Sequence, residues 1–482
     1  MGFTTFSFFL FVPVVLIGFR VLPDRLRPVW LLTASAVFYA SYGFESFLHL
    51  VLVVMLAHGA AVGLEAAATQ PQRKSVLCLG VGSLIATLCF SKFGDFALAE
   101  FARLTDTSPV QTGLTPPPGF SFYIFMAVAY VVDVWRGLVR PAALAQTALQ
   151  LSWFPKLLAG PIERAGSILP QLGDNMRAKP VQTMLALQLI LWGLVKKVVV
   201  AENLAPVVDQ AFAIPAYAPP MELLISLYFF AFQLYCDFSG YTDMAIGLSL
   251  LFGIVLHENF RRPFLSLTVN EFWSRRWHIS LGNWFRDYLF FPLTGSAGSS
   301  PRRQHLALWA VFAASGLWHA GLGYGIGWAF LVWGLLNGAY VSVEKLLQPA
   351  ARRFAKRHPQ AAGSATLTVL RIFVTFHLIL ITWTFFRAAT VGDALTILRR
   401  IALALPEMVA LITRYPFTGD HLLGAGLIVG LLAVEVLSER QPFAERLRDW
   451  PTATRWAVWY GGLAALLLFG RWGDAGFIYQ GF

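Results

Sequence analysis

Two histidines of this chain stand where an imidazole could do chemistry. His319 interrupts an apolar region, AASGLWHAGLGYGIGWAFLVWGLLNGAYVSVEK (313–345), with no carboxylate beside it. Gly316, Gly321, Gly323, Gly325 and Gly327 keep the backbone around it slim. That gives a ligand room to approach, or gives neighbouring helices room to pack. An imidazole kept from water stays neutral and can accept a proton, which suits a general base. His278 lies in FWSRRWHISLGNWFRDYLFFPL (272–293). Read as one helix, this stretch has an aromatic stripe (Trp273, Trp277, Leu281, Trp284, Tyr288, Phe291) and a polar stripe (Arg276, Ser280, Asn283, Asp287). So many Trp and Arg residues belong at a bilayer interface, with His278 between the rows facing a tunnel or bonded at the interface.

Two further segments bring costly polar groups into apolar surroundings. In YCDFSGYTDMAIGL (235–248), Asp237 shares a helix face with Tyr241, and Ser239 with Asp243, each at i,i+4. These acids either face a cavity, a partner or the interface, or bond neighbouring helices that Gly240 and Gly247 admit closely. In GFSFYIFMAVAYVVDVWRG (119–137), after Pro116–Pro118, Asp133 meets Arg136 at i,i+3, a spacing that suits an ion pair anchoring a helix end. The remaining histidines lack ligand spacing, and no metal site is expected. No GxSxG elbow, Walker A loop or GxGxxG fingerprint is present.

The elements that must hold these groups are membrane helices. Of 482 residues, 57% are hydrophobic and only 13% charged, with a mean hydropathy of +0.62. A soluble domain carries about 25% charged residues, so this composition cannot cover a soluble surface. The net charge of +11 sits between apolar runs, as the positive-inside rule and anionic head groups require, and does not indicate nucleic-acid binding. Apolar runs fall near residues 4–22, 29–43, 46–67, 76–93, 119–135, 181–201, 221–236, 238–256, 305–320, 322–343, 367–386, 395–413, 421–437 and 454–470. Several are short or interrupted, which predicts about 10–12 true spans plus one or two re-entrant segments. The first run has no basic residue before it and Arg20, Arg25 and Arg27 after it, so it reads as a retained helix with its N-terminus outside. Arg73, Lys74 and the 344–357 run read cytoplasmic. The 202–222 stretch, with Glu202, Asp209 and Glu222 and no basic residue, reads external. No polar gap is long enough for a separate soluble domain, so 1–482 reads as one membrane domain with its motif-rich core at about 119–345.

Six segments in order resemble the membrane-bound O-acyltransferase superfamily, in its bacterial branch that acylates cell-surface polymers. They are SFYIFMAVAYVVDVWRG (121–137), FPKLLAGPIERA (154–165), LYCDFSGYTDMAIGLSLLFG (234–253), ENFRRPF (258–264), WHISLGNWFRDYLFFPL (277–293) and GLWHAG (316–321). The resemblance extends from residue 6 to FIYQGF (477–482). It implies an all-α polytopic fold, a ring of helices with re-entrant segments around a central tunnel. It implies that His319 matches the family's catalytic histidine and His278 the second histidine across the reaction centre. Trp318, Asn283, Trp284, Asp237, Ser239 and Tyr241 are expected to line the tunnel or meet substrate. The implied reaction moves an acyl group from a cytoplasmic thioester, acetyl-CoA being the expected donor, to a hydroxyl of an extracytoplasmic polysaccharide. No bound cofactor is implied. A separate extracytoplasmic transferase is implied as partner, and the bacterial inner membrane as location. The chain departs from the family pattern at GLWHAG, at PLTGS (292–296) and at FIYQGF, which bears on acceptor and partner rather than on the chemistry. Two other readings stay open at this point. One is a transporter of a lipid-linked sugar using Asp237 and Asp243 as coupling acids, and the other is acyl transfer to a lipid or small molecule.

Overall fold

The computed structural model describes residues 1–108, 116–173, 182–295, 300–320, 327–439, 446–473 and 477–478. Gly321, Gly323 and Gly325, Ser296 and most of the FIYQGF segment lie outside the described residues. Every regular element among the described residues is helical. Among the described residues, six helical stretches are long and apolar enough to cross a bilayer: Phe44–Ala66, Gln70–Thr105, Thr183–Ala213, Pro220–Leu251, Ala365–Arg387 and Gly419–Ser438. Many leave apolar side chains uncovered, such as Val369, Leu370, Phe373 and Val374 on Ala365–Arg387. Surfaces of that kind are stable against lipid and costly against water. This is a multi-pass, all-α membrane protein. The other apolar runs form shorter helices, among them Phe6–Val21 and Phe120–Trp135, or helices that open on charge, such as Pro301–His319 with Arg302 and Arg303.

The chain packs as two compact units. The first comprises Met1–Leu194, Phe238–Glu258 and Trp472–Phe482, and the second Val195–Asp237 and Asn259–Arg471. In the first, fourteen of the sixteen residues of Phe120–Trp135 are buried, so this helix is core rather than lipid-facing. It begins at Gly119, whose φ of +74° follows the prolines and sits against Leu157 and Leu158. A Cβ there would lie 2.5 Å from the Leu157 carbonyl oxygen. The Thr183–Leu194 helix crosses the later part of Pro220–Leu251 with backbones in contact. A Cβ on Gly193 would meet the Gly240 carbonyl at 2.5 Å, and one on Gly247 the Ala186 carbonyl at 2.6 Å.

Three expectations change here. The 221–236 and 238–256 runs form one unbroken helix, Pro220–Leu251, because Asp237 has an internal counter-ion and its glycines pack rather than kink. The 202–222 stretch does not leave the helix at Glu202: residues Glu202–Ala213 continue it after a π-helical segment, Val195–Ala201. The 272–293 stretch is not one amphipathic helix. It runs as a π-helical turn Phe272–Arg276, a reversal at His278, the helix Ile279–Phe285, a second π-helical turn Arg286–Phe290 and a last turn Phe291–Thr294. The stripes drawn across it are therefore interrupted at the histidine.

Candidate active site

The site lies within the second unit, which holds both histidines. His319 is the last residue of Pro301–His319 and is 3% exposed. Its ring stands among four aromatic side chains. The Trp318 centroid lies at 4.6 Å, Trp333 edge-to-face at 5.0 Å and 87°, Phe386 at 5.0 Å, and Phe330 nearly parallel at 6.2 Å. Pro301–His319 can lie this close to Trp328–Arg357 because a Cβ on Gly316 would fall 2.5 Å from the Phe330 carbonyl, and one on Gly334 2.3 Å from that of Phe312. An imidazole in such a cage is desolvated and oriented by flat, rigid walls.

His278 is 3% exposed and adopts φ 45° and ψ 54°, a left-handed conformation that costs about 1–3 kcal/mol for a residue with a side chain. Surrounding contacts hold it there. The ENFRRPF segment lies alongside, with Ile279 N donating to Asn259 O at 2.9 Å and Arg261 N donating to Arg276 O at 2.8 Å. The Asn259 side-chain oxygen takes Ser280 N at 3.1 Å, Ser280 Oγ at 2.9 Å and His278 Nδ1 at 3.2 Å. The imidazole lies at 24° to the Phe260 ring, centroids 6.3 Å apart. Burial pushes the His278 imidazole down to about 3, so it is neutral at physiological pH. Arg276 anchors the reversal from the other side, with Nε donating to Glu271 at 2.7 Å and Nη2 to Glu439 at 2.8 Å.

One helix meets His319 and the residue before His278. On Ala365–Arg387, Trp383 packs on Trp277 with centroids 5.0 Å apart, and Phe386 packs on His319. Positions three apart share a helix face, so the two histidine elements are fastened to the same face. A second route runs through indoles. Trp273 meets Trp333 edge-on at 5.4 Å, and its Nε1 donates to Asn337 Oδ1 at 2.9 Å.

The other expected site residues are distributed as follows. Trp318 is in the cage. Trp284 is buried on Ile279–Phe285 beside Tyr288, with ring centroids 5.4 Å apart, and Asn283 is half-buried on the same helix. Asp237, 1% exposed, accepts from Lys197 Nζ at 2.5 Å, and Lys197 also reaches Glu202 at 2.6 Å. Ser239 and Tyr241 belong to the first unit. There Ser239 is fully buried, and the Tyr241 hydroxyl donates to the Pro155 carbonyl at 3.1 Å. Sequence reading missed Asn259, Trp333, Phe386 and the Lys197 counter-ion. Lys196 and Lys197 in an apolar run were a usable signal, whereas Trp333 resembles any packing aromatic.

Residues 87–387 match the model of the membrane-bound O-acyltransferase family. A probable alginate O-acetylase of Azotobacter vinelandii is 34% identical over 396 residues, 80% of this chain and 74% of that protein. A peptidoglycan O-acetyltransferase of Helicobacter pylori is 32% identical over 434 residues, covering 82% and 78%. A probable alginate O-acetylase of Pseudomonas aeruginosa is 34% identical over 389 residues, covering 79% and 70%. The class is therefore an integral-membrane enzyme that transfers acyl groups to oxygen. The chain belongs to the membrane-bound O-acyltransferase family.

Proposed function

We propose that this enzyme is an O-acetyltransferase of the bacterial inner membrane that modifies a cell-envelope or exported polysaccharide. Acetyl-CoA on the cytoplasmic side is the donor, and the acetyl group reaches polymer hydroxyls through an extracytoplasmic partner transferase. The relatives' names support the acetyl group and the polymeric acceptor. The observation that carries the reading is His319 in its aromatic cage: a buried imidazole ending a helix, in the motif GLWHAG. His319 takes the proton of the attacking hydroxyl as its oxygen bonds the thioester carbonyl. His278 stands on the opposite side of the reacting centre, and confinement in a tunnel lowers the entropic cost of bringing donor and acceptor together. Trp318, Asn283 and Trp284 line the approach. Asp237 is a residue of the second unit that the resemblance assigns to the tunnel, and Ser239 and Tyr241 follow it on the same helix.

The test uses purified protein in nanodiscs with radiolabelled acetyl-CoA, wild type beside His319→Ala. Release of free CoA by wild type and its loss in the variant, at equal protein level, is the expected result. Turnover that survives His319→Ala would remove the assignment. Coexpression with genes for polysaccharide synthesis should raise turnover if the acceptor reading is right.

A further inference from the structure

Trp333 is 2% exposed, and its Nε1 has no hydrogen-bond partner among the described residues. A buried donor without an acceptor is destabilising and rare enough to need a reason. Its surroundings supply none. Phe386, at 5.2 Å, has no polar atom. Asn337 gives its oxygen to the neighbouring indole of Trp273 and its Nδ2 to the Trp333 backbone carbonyl at 2.8 Å. Among the described residues, two adjacent indoles are thus treated differently: Trp273 donates to Asn337, and Trp333 has no acceptor. The His319 ring packs edge-to-face on this indole, with centroids 5.0 Å apart.

We infer that the Trp333 indole N–H is the donor that binds the thioester carbonyl oxygen as it becomes an oxyanion beside His319, an inference that rests on the acyl-transfer reading above. The acceptor hydroxyl gives its proton to His319 while its oxygen bonds the carbonyl carbon. The carbonyl π pair moves onto oxygen, and Trp333 N–H receives that charge. On collapse the C=O re-forms, the C–S bond breaks, and the leaving thiolate takes the proton from the imidazolium. A fixed N–H in an apolar cage acts on developing charge without reorganising, which is where such a donor is most effective. Trp333 sits on the thirty-residue helix Trp328–Arg357, a rigid mount for it.

The experiment is Trp333→Phe, which keeps a ring and removes only the donor and part of the volume, in the nanodisc CoA-release assay. The expected result is a fall in kcat of about 100-fold, with KM for acetyl-CoA within about twofold and thermal stability equal to or above wild type. Trp273→Phe is the matched comparison. It loses similar volume but strands the Asn337 oxygen, so it should melt lower than Trp333→Phe. Wild-type kcat in Trp333→Phe would overturn the inference. So would a Trp333→Phe chain that melts as low as Trp273→Phe or fails to accumulate, because the indole would then be held for packing. Loss of turnover in His319→Ala with full turnover in Trp333→Phe overturns this inference alone. Full turnover in both removes the parent reading as well.

Discussion

Asn259 fixes the tautomer of His278. Ser280 N–H can only donate, and it points at the Asn259 side-chain oxygen at 3.1 Å, so that atom is the acceptor. His278 Nδ1, 3.2 Å from the same oxygen, must then carry the hydrogen, and the neutral ring presents Nε2 as its basic nitrogen. Replacing Asn259 by Asp keeps the acceptor and adds a charge that favours imidazolium. Wild-type turnover should show no His278 limb between about pH 5 and 8, because burial holds that group down to about 3. Asn259→Asp should acquire an acidic limb inside that window, and Asn259→Ala should lose about tenfold or more at every pH. Superimposable pH profiles for wild type and Asn259→Asp would show that the amide does not control the imidazole.

The Lys197–Asp237 pair should be structural. Removing one partner of a buried pair costs about 3–5 kcal/mol, and Asp237→Ala would take from Lys197 the carboxylate at 2.5 Å. The double change Lys197→Met with Asp237→Leu should restore most of that stability, as read by thermal unfolding in detergent. If Asp237→Ala instead melts like wild type and loses turnover, the acid acts in the reaction.

Where the Thr183–Leu194 helix crosses Pro220–Leu251, the close approach leaves no space for a side chain. Gly247→Ala would place a methyl 2.6 Å from the Ala186 carbonyl and 2.8 Å from Ile190 Cγ1. The expected loss is about 1–3 kcal/mol. Gly426→Ala, where no atom lies within 4 Å, should cost nothing by the same measurement.

Outside the spanning helices, Glu163 holds His257 by two contacts, accepting from the backbone N at 2.6 Å and facing Nδ1 at 2.7 Å. The carboxylate raises the His257 pKa, chiefly through that side-chain hydrogen bond. A raised folded-state value means that the pair stabilises the protein fully below the unfolded value of about 6.5. This support is lost as pH rises through the folded value. The imidazole is largely exposed, so the melting temperature should fall by only about 1 °C from pH 6 to pH 8.5. His257→Gln should flatten the dependence. An equal fall in that variant would assign it to other groups.

Composition and the spacing of apolar runs made the membrane class legible, and two motifs singled out His278 and His319. The rest was hidden for physical reasons. The reversal at His278 is imposed by an asparagine nineteen residues earlier and by no local turn signal. A carboxylate in an apolar run suggested a broken helix at 237, but its counter-ion lies forty residues away on a π-helical segment, so the helix continues. The conformational cost at His278 and the desolvation of Asp237 are met by long-range contacts, which a window along the chain does not contain. Trp333 is invisible for a different reason: a satisfied and an unsatisfied indole are spelled with the same letter.

Tyr241 lies face to face with Phe3, centroids 4.5 Å apart, and edge-on to Phe477 at 4.9 Å. These three rings come from the start, the middle and the far end of the chain, and all belong to the first compact unit. During synthesis, most of that unit leaves the ribosome early, yet its aromatic cluster waits for residue 477. The second unit is made entirely in the interval. Completion of the earliest-made half is thus a late event in biogenesis. A stop codon ahead of Phe477 would injure the half of the protein translated first.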